Sequence, residues 1–467
     1  MAVDEKLFVA RRLGFGLKAG EDLPGAPRDW ALDQLRSVPP LDFFGADGAT
    51  LHLPRDAQPI DNFADACSQW NDMRQKDDEQ TKKFNDTIQM VMWMNYEALP
   101  RWRQTLALSL TAVNGQSPVF ERFWHFWVNH FTVSTAENNG KVLQDAYMRL
   151  IRARMTGSFA DLTFDVITSP AMLLYLDNAA SVGPKSREGR NSGETLNENL
   201  GRELLELHTV SPAAGYTQDD VVQAALALTG WSFVPWYRDS KKFGTIFNTN
   251  RHEPGVRKIM GKDYKPKDGG ANQLRDLVND LAAHPSTIAH LSMKLAQAFI
   301  SDTPPQDSVD RIAKVFADSN GDLVAIHTAV IEEVLTLGPS TRKLATPMTW
   351  LLQCYKVTGT PIDPAQPPGH SIDLIMKELG RPLDESPQPN GWSELAADWL
   401  SKALLDRRVR TAYLIGTATQ DLLPDALGSY ADRLMGVDSA AALSVKRAES
   451  MPLAIATLLT SPQFLWL

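Results

Sequence analysis

The chain has 467 residues, of which 43% are hydrophobic and 22% are charged, and its formal net charge at pH 7 is −9. This length and hydrophobic content are enough to bury a substantial core, which indicates a globular protein. The acidic balance provides no broad positive surface for a polyanion, so nucleic acid is not expected as a partner.

Two cysteines, Cys67 and Cys354, are too few for a disulfide framework or a cysteine-based metal site, and we expect two buried thiols. One disulfide bond between them is the alternative if the protein is exported. The N-terminal sequence MAVDEKLFVARRLGFG places acidic residues before any apolar run and lacks a signal-peptide pattern. We expect a cytoplasmic location if residue 1 is the native start and a periplasmic one if a leader was removed. No run approaches about 18 apolar residues, so we expect a soluble protein without a membrane span.

Apolar residues spaced three and four positions apart dominate the chain and predict helices along most of it. The predicted helices cover residues 81–95, 99–113, 120–129, 139–155, 159–167, 219–228, 273–283, 287–300, 308–318, 322–336, 347–356, 372–379, 393–405, 409–415, 430–435, 440–447 and 451–459. Thr217 precedes Asp220 by three positions, the spacing of a capping box at a helix start. The sequence therefore predicts a mainly α protein, with one large helical domain over residues 1–467.

One aromatic, β-prone segment interrupts this pattern at residues 231–263. It contains two predicted strands, near residues 245–248 and 256–260, on either side of the turn-forming sequence HEPG. The prediction is a small β-hairpin insertion around residues 244–260. Its turn would bring together four polar side chains, those of His252, Glu253, Arg257 and Lys258.

Residues 197–210, with sequence NENLGRELLELHTV, form a predicted amphipathic helix. A helical wheel places five polar residues on one arc and the leucines on the rest: Glu198, Asn199, Arg202, Glu203 and Glu206. Spacings of four residues between opposite charges also suit an ion-pair ladder on a solvated face. The arc is therefore either a solvated face or the wall of a cleft.

Three residues of this segment need separate interpretation. Asn197 suits an N-cap, whereas Asn199 is a weak helix former without such a role. His208 falls on the leucine side, where a histidine is more often a core residue, and we leave it out of the site.

A second candidate stretch, FWHFWVNHFTVS at residues 123–134, is aromatic nearly all round and is predicted to be buried. Its polar side chains, His125, Asn129 and His130, then need hydrogen-bond partners, because burial without them costs free energy. One such partner is a carboxylate from residues 197–210. The alternative is a structural hydrogen-bond network between packed helices.

Seven motifs follow one another along the chain: RRLGFG at Arg11, FWVNHFTVS at Phe126, SPAMLLYLDN at Ser169, NENLGRELLELHTV at Asn197, GYTQDDVVQAALALTGW at Gly215, HEPGVRK at His252 and PNGW at Pro389. Together they resemble, in order, the motifs of a bacterial family called domain of unknown function 1800. The C-terminal sequence SPQFLWL is also similar to the ending of that family, so the resemblance covers essentially the whole chain.

The resemblance implies no activity, since the family is named for lacking one, but it favours particular positions as site residues. The family pattern matches at His130, Asp177, Asn178, Asn197, Glu198, Asn199, Arg202, Glu203, Glu206, Tyr216, Asp220, His252 and Lys258. The family commonly has His-Asn-His where this chain has Val128-Asn129-His130, which suggests that position 128 does no chemistry here. It commonly has His-Asp where this chain has His252-Glu253, which keeps a carboxylate. With the resemblance, a cleft is favoured over a solvated face.

The first functional interpretation is a glycosidase-like hydrolase without a cofactor, in which two carboxylates act as acid and base on a carbohydrate. Glu203 is the expected acid and Glu198 or Glu206 its partner, with His130 completing the catalytic set. The remaining candidates are assigned to substrate binding: Asn129, Asp177, Asn197, Asn199, Arg202, Tyr216, His252 and Lys258.

Two alternatives stay open. In one, a divalent metal bound by Glu203, Glu206, His130 and His252 activates water for hydrolysis. In the other, the twelve tryptophans line a non-catalytic groove for a glycan or a protein. The expected partner is a small molecule or a glycan, and the residues do not specify the oligomeric state.

Overall fold

The computed structural model of the chain describes residues 4–45, 48–51, 63, 65, 99–134, 143–193, 195–234, 244–362, 372–383, 385–421 and 426–467. Helices form most of this part of the chain, and two small antiparallel sheets complete it. The mainly α fold class predicted from periodicity is confirmed. The predicted helix at residues 81–95 and the thiol of Cys67 lie outside the described residues, whereas Cys354 is a buried free thiol.

Ten α-helices precede the sheets within the described ranges: α1 (Glu5–Leu13), α2 (Pro27–Asp33), α3 (Leu99–Asn114), α4 (Pro118–His130), α5 (Gln144–Arg154), α6 (Phe159–Ile167), α7 (Pro170–Tyr175), α8 (Gly189–Ser192), α9 (Asn199–Glu203) and α10 (Gln218–Leu228). Side-chain caps fix several of these starts. The Ser158 and Ser169 side chains accept the N–H groups of the first turns of α6 and α7. The capping box predicted at Thr217 and Asp220 opens α10 and is confirmed.

Eleven more helices follow in the described part of the chain: α11 (Ala271–Ala282), α12 (Pro285–Phe299), α13 (Gln306–Asp318), α14 (Leu323–Leu337), α15 (Pro347–Thr358), α16 (Ile372–Glu378), α17 (Lys402–Thr419), α18 (Ala426–Met435), α19 (Ala440–Lys446), α20 (Met451–Thr460) and α21 (Pro462–Leu465). Short 3₁₀ turns lie at Asn178–Ala180, Pro212–Ala214, Asp268–Gly270, Gly338–Ser340 and Ala396–Asp398. Proline is the first residue of α12, α15 and α21. An N–H at this position makes no hydrogen bond within the helix, so proline costs nothing there.

The predicted helix at residues 393–405 is wrong over residues 393–401. These residues form a loop that contains a 3₁₀ turn at Ala396–Asp398, and α17 begins only at Lys402, after the capping side chain of Ser401. Side chains from elsewhere hold the loop backbone: Asp302 Oδ2 accepts the Ala396 N–H at 2.7 Å, and Lys343 Nζ donates to the Glu394 carbonyl. These bonds favour the loop over the helix that local periodicity suggests.

The two predicted strands exist, but the predicted pairing between them is wrong. Strand β2 (Thr245–Phe247) pairs with β1 (Trp231–Phe233), and β3 (Arg257–Ile259) pairs with β4 (Lys262–Tyr264). Met260 and Gly261 connect β3 to β4 with φ angles of 48° and 81°. Positive φ at both central residues is the type I′ geometry that matches strand twist, so this short hairpin closes locally.

One continuous hydrophobic core joins residues from Leu7 to Leu467, and its largest buried side chains include Trp124, Trp127 and Trp350. The first and last motifs meet at this core. Buried Arg12 donates to the Ile300 carbonyl at 2.7 Å and also to the Leu467 carbonyl. The RRLGFG and SPQFLWL motifs therefore have a structural role in closing the chain. A single domain over residues 1–467 stays a prediction.

Within the described residues, the segment Leu323–Ser340 is long and apolar enough by composition to cross a membrane, with mean hydropathy 1.2. Its side chains Ile326, Val330, Ile331 and Val334 are buried in the core, as expected of a core helix. The absence of a membrane span stays a prediction.

Candidate functional site

The segment at residues 197–210 folds as helix α9 followed by a π-helical turn at Leu204–His208. Asn197 Oδ1 accepts the Asn199 N–H at 2.8 Å, but the N-cap residue of α9 is Glu198 and not the predicted Asn197. At the end of the π turn, Thr209 Oγ1 donates a hydrogen bond to the Leu204 carbonyl at 2.6 Å. Single π turns within helices are frequent at functional sites.

Gly201 brings this segment against α10. A Cβ atom at residue 201 would lie 2.7 Å from Ala225 N and 2.9 Å from Ala225 Cα, closer than packed atoms approach. The glycine therefore allows backbone contact between α9 and α10. This contact sets the polar arc beside Gln218, at the start of α10.

The first part of the arc is exposed. Arg202 donates to Glu198 Oε2 at 3.1 Å and to Gln218 Oε1 at 3.0 Å, while Gln218 Nε2 donates to Glu198 Oε2 at 2.6 Å. The side chains of Arg202 and Glu198 are 39% and 36% exposed. An ion pair this exposed contributes little to stability, so this part of the arc fits the solvated-face alternative.

The second part of the arc carries a half-buried carboxylate pair, Glu203 and Glu206. Burial raises the pKa of Glu203, and the charge of Glu206 raises it further, against the opposing effect of Arg202. The Tyr216 hydroxyl donates to Glu206 Oε2 at 3.3 Å. Burial also raises the pKa of Tyr216, with Glu206 acting in the same direction, so this phenol stays protonated as a donor. We call Glu203, Glu206 and Tyr216 the glutamate site.

Three other predicted binding residues are exposed: Asn199, Asp177 and Lys258. Asp177 has a left-handed backbone with φ of 57°, a conformation that costs free energy outside glycine. Its neighbour Asn178 is buried and donates to the carbonyls of Leu228 and Trp231, at 3.3 Å and 3.1 Å. Asn178 therefore positions the start of β1.

His252 lies in the core and not in a cleft. Its Nδ1 contacts the Thr229 carbonyl at 2.7 Å and its Nε2 contacts Gln273 Oε1 at 2.9 Å. A Cβ atom at Gly270 would lie 2.2 Å from His252 Nε2, so the ring is enclosed. With both nitrogens engaged, this histidine is bonded as a packing residue, contrary to the expected role in substrate binding.

The polar cluster expected around His252 forms only in part. Glu253 is buried, and its Oε2 accepts the Lys185 N–H at 2.7 Å. Arg257 donates to the Pro254 carbonyl at 2.6 Å, and the Glu253 charge opposes the lowering of its pKa by burial. Lys258 lies outside this cluster because it points from the exposed side of β3.

His130 ends α4 and is only 2% exposed. Its partner is Lys294, whose Nζ lies 3.1 Å from His130 Nδ1, and not the carboxylate expected from residues 197–210. A lysine ammonium only donates, so His130 Nδ1 accepts and Nε2 carries the proton. Burial lowers the pKa of His130 well below its ordinary value, and the Lys294 charge lowers it further, while the His208 main chain opposes both. His130 is therefore a neutral ring.

A cavity of about 450 Å³ opens beside His130. Its walls come from α4, from Leu207 in the π turn, from α12 and from the loop at residues 387–395. We call it the histidine–lysine cavity, and its lining residues are Phe126, Asn129, His130, Leu207, His290, Lys294, Gln297, Pro387, Gln388, Asn390, Gly391, Trp392, Ser393, Glu394 and Leu395.

Two motifs far apart in the chain meet at this cavity, FWVNHFTVS and PNGW. Asn129 Nδ2 donates to the Trp392 carbonyl at 2.8 Å, and Asn129 Oδ1 accepts the Trp392 N–H at 2.8 Å. Gly391 has φ of +76°, and a Cβ atom there would lie 2.3 Å from the Asn129 carbonyl oxygen. The glycine is needed both for its backbone and for this close approach.

Burial lowers the pKa of Lys294 to about 8, and the Glu394 charge opposes this shift. Burial also lowers the pKa of Arg122, and it lowers the pKa of Arg381 to about 10. The Glu394 charge opposes both of these shifts. Among the described residues, Glu394 is the one carboxylate whose charge acts on all three cations. One carboxylate charge thus acts on three cations.

Several buried polar atoms of the cavity lining have no hydrogen-bond partner in the described part of the chain. They are His130 Nε2, His290 Nε2, Trp392 Nε1 and Glu394 Oε2. Buried polar atoms are normally paired, so a group of unpaired ones beside a cavity indicates space for a ligand or for water.

Sequence reasoning did not identify Lys294, His290 or Glu394. Lys294 and His290 are four positions apart on a predicted helix and therefore share a face. This spacing was the feature of the sequence from which the pair could have been identified. His208 is fully buried, as expected of a core residue, yet its ring lies 6.2 Å from that of His130. Burial lowers the pKa of His208 to about 3.

The residues proposed for a metal do not converge. Among the described residues, no group of three or more His, Cys, Asp or Glu side chains is arranged to hold a metal ion. His130 faces Lys294, His252 is bonded through both nitrogens, and Glu206 accepts a hydrogen bond from Tyr216. An ammonium group beside His130 is also unfavourable for a nearby cation.

Comparison with known proteins identifies a family. A family model described as a protein of unknown function (DUF1800) matches residues 9–466 of this chain. The chain matches neither a curated protein nor a solved structure.

Proposed function

The chain belongs to the DUF1800 family, and we propose that it is a hydrolase that cleaves carbohydrate with the carboxylate pair of the glutamate site. The observation that carries the proposal is the pKa of Glu203, which burial and the Glu206 charge both raise. A carboxyl group whose pKa is raised by burial and by a neighbouring carboxylate is suited to act as the general acid in cleavage of a glycoside.

Glu203 is the proposed general acid and Glu206 its partner. Glu206 accepts a hydrogen bond from the Tyr216 hydroxyl, which leaves the carboxylate able to act as base or nucleophile. Glu198 is less suited to this role because its Oε2 already accepts from Arg202 and Gln218. Arg202 and Asn199 on α9, and Asn197 just before it, would contact the substrate hydroxyl groups.

The test is the release of reducing ends from a panel of oligosaccharides and polysaccharides by the wild-type protein and by Glu203→Gln. General acid–base catalysis contributes about 100-fold to 10,000-fold to rate, so turnover should fall by at least about 100-fold. Glu449→Gln, a change at an exposed glutamate of the same chain, is the control and should leave turnover unchanged. Equal turnover in the wild type and Glu203→Gln would refute the assignment.

The same experiment distinguishes a non-catalytic module. Glycan retention on an affinity gel without any release of reducing ends would favour binding over hydrolysis. In that case Glu203→Gln should bind nearly as well as the wild type, because a glutamine preserves the shape of the side chain.

A further inference from the structure

We propose that the histidine–lysine cavity binds a small hydroxylated carboxylate of about the size of a sugar acid, held by Lys294 and Glu394. The inference does not rest on the hydrolase proposal, since it concerns different side chains. The cavity volume of about 450 Å³ lies in the range of small-molecule sites. Phe126, Leu207 and Trp392 give it apolar walls against which a carbon skeleton packs.

The donors in the cavity suit a carboxylate. Lys294 gives one N–H to His130 Nδ1 at 3.1 Å and has two more to give. The indole Nε1 of Trp392 is a donor only, and it is buried without a partner among the described residues. A ligand carboxylate offers oxygen acceptors to both groups, and its hydrogen bond with Lys294 is charge-assisted.

The cavity also contains a hydrogen-bond acceptor, Glu394, which requires a donor group on the same ligand. Glu394 Oε2 is buried and has no hydrogen-bond partner in the described part of the chain. A hydroxyl or an ammonium group would satisfy it. The ligand therefore carries a donor as well as its carboxylate.

Charge decides between these two donors. The charge of Glu394 raises the pKa of Lys294, of Arg122 and of Arg381, so one carboxylate charge acts on three cations. Buried charge without compensation is unfavourable, and a ligand of net negative charge compensates it where a zwitterion does not. The donor is accordingly a hydroxyl, which makes the ligand a hydroxy acid and not an amino acid.

The test is isothermal titration calorimetry of the full chain with six-carbon probes that differ in one feature each. Gluconate and glucuronate carry both carboxylate and hydroxyl groups, sorbitol lacks the carboxylate, hexanoate lacks the hydroxyls, and norleucine carries an ammonium group. At least one of the two sugar acids should bind at least tenfold more tightly than sorbitol, hexanoate and norleucine. If neither does so, or if norleucine binds best, the proposal is overturned.

Two variants test whether Lys294 and Glu394 bind the sugar acid. Lys294→Met should weaken binding of the sugar acid at least tenfold, whereas Lys314→Met, at an exposed lysine of α13, should leave it unchanged. Glu394→Gln should reduce the preference for the sugar acid over hexanoate, because an amide oxygen accepts a hydroxyl less strongly than a carboxylate. This second variant keeps the side-chain shape and tests the proposal even where Lys294→Met does not fold. Unchanged binding in a folded Lys294→Met, or an unchanged preference in Glu394→Gln, would contradict it.

Discussion

The side-chain amide of Asn129 binds both backbone polar atoms of Trp392, with its Nδ2 and its Oδ1 each 2.8 Å from the corresponding oxygen and nitrogen. These two hydrogen bonds join α4 to a loop 263 positions away in the chain. They hold one wall of the histidine–lysine cavity, because both residues line it.

We expect Asn129→Ala to lower the free energy of unfolding by about 2–4 kcal/mol, since two hydrogen bonds are lost and both Trp392 backbone groups are left unpaired. Urea denaturation of both proteins measures the change. Asn250→Ala, at an exposed asparagine, is the matched control and should alter stability by less than about 0.5 kcal/mol. A loss no larger than that of the control would show that the Asn129 amide does not hold the loop.

A second prediction concerns Gly391. Gly391→Ala combines an unfavourable left-handed backbone with a Cβ atom 2.3 Å from the Asn129 carbonyl oxygen, and it should cost roughly 2–5 kcal/mol of stability. Gly193 has φ of +71°, but a Cβ atom there would meet no other atom within 4 Å, so Gly193→Ala isolates the backbone contribution of about 1 kcal/mol. Thermal unfolding of the two variants gives the comparison. Equal losses would mean that the loop moves away to accept the methyl group.

The Glu206 charge should control the titration of Glu203. In Glu206→Gln the pKa of Glu203 should fall towards its ordinary value, because one of the two causes that raise it is removed. Burial remains, so the fall is partial. Carbon-13 NMR of the Glu203 carboxyl against pH measures it directly, with Glu449→Gln as the control. A Glu203 pKa that stays in place, or rises, would show that the two carboxylates do not interact.

His208 should make the fold sensitive to acid. Its folded pKa is about 3 and its unfolded pKa is about 6.5, so between these values the unfolded chain binds a proton that the folded chain does not. The free energy of unfolding therefore falls as the pH falls from about 6.5, by about 1.4 kcal/mol per pH unit for this residue.

The variant His208→Leu removes that contribution while keeping an apolar side chain of similar size. Its unfolding free energy should fall less steeply between pH 6 and 4, by about 1.4 kcal/mol per pH unit, with no difference in slope above pH 7.5. Urea denaturation at several pH values gives both slopes. Parallel curves below pH 6 would mean that His208 is not a neutral buried ring.

Removal of divalent metal should leave the protein unchanged, since the acidic and histidine side chains of the described residues form no metal-binding group. Dialysis against a chelator should alter the unfolding temperature by less than about 1 °C, which is within the effect of a few tenths of a kcal/mol. Elemental mass spectrometry before and after dialysis is the accompanying measurement. A stoichiometric metal whose loss lowers the unfolding temperature would contradict this prediction and favour the metal-dependent hydrolase hypothesis.

Local patterns predicted the helices and their starts well, because helix periodicity and capping depend on residues close together in the chain. The capping box at Thr217 is present. The failures share one cause. Residues 393–401 of the helix predicted at 393–405 form a loop, because Asp302 and Lys343 hold its backbone from distant positions.

The candidate site divides in the same way. The glutamate pair was predictable, since Glu203 and Glu206 lie three positions apart on one helix face, and the raised pKa of Glu203 follows from that proximity and from burial. The surroundings of His130 could not be predicted, because its partner Lys294 is 164 positions away in the chain. The sequence around Lys294 shows only that it lies on an amphipathic helix.

By itself the sequence determined the helical class, the caps, the buried aromatic stretch and the polar arc, since each of these depends on interactions within a few turns of chain. Only the tertiary structure decided that His252 is enclosed in the core, that the two strands take separate partners, and that a histidine, a lysine and a glutamate surround one cavity. The physical reason is that burial and charge pairing depend on which surfaces meet, and periodicity along one helix does not specify the helix that faces it.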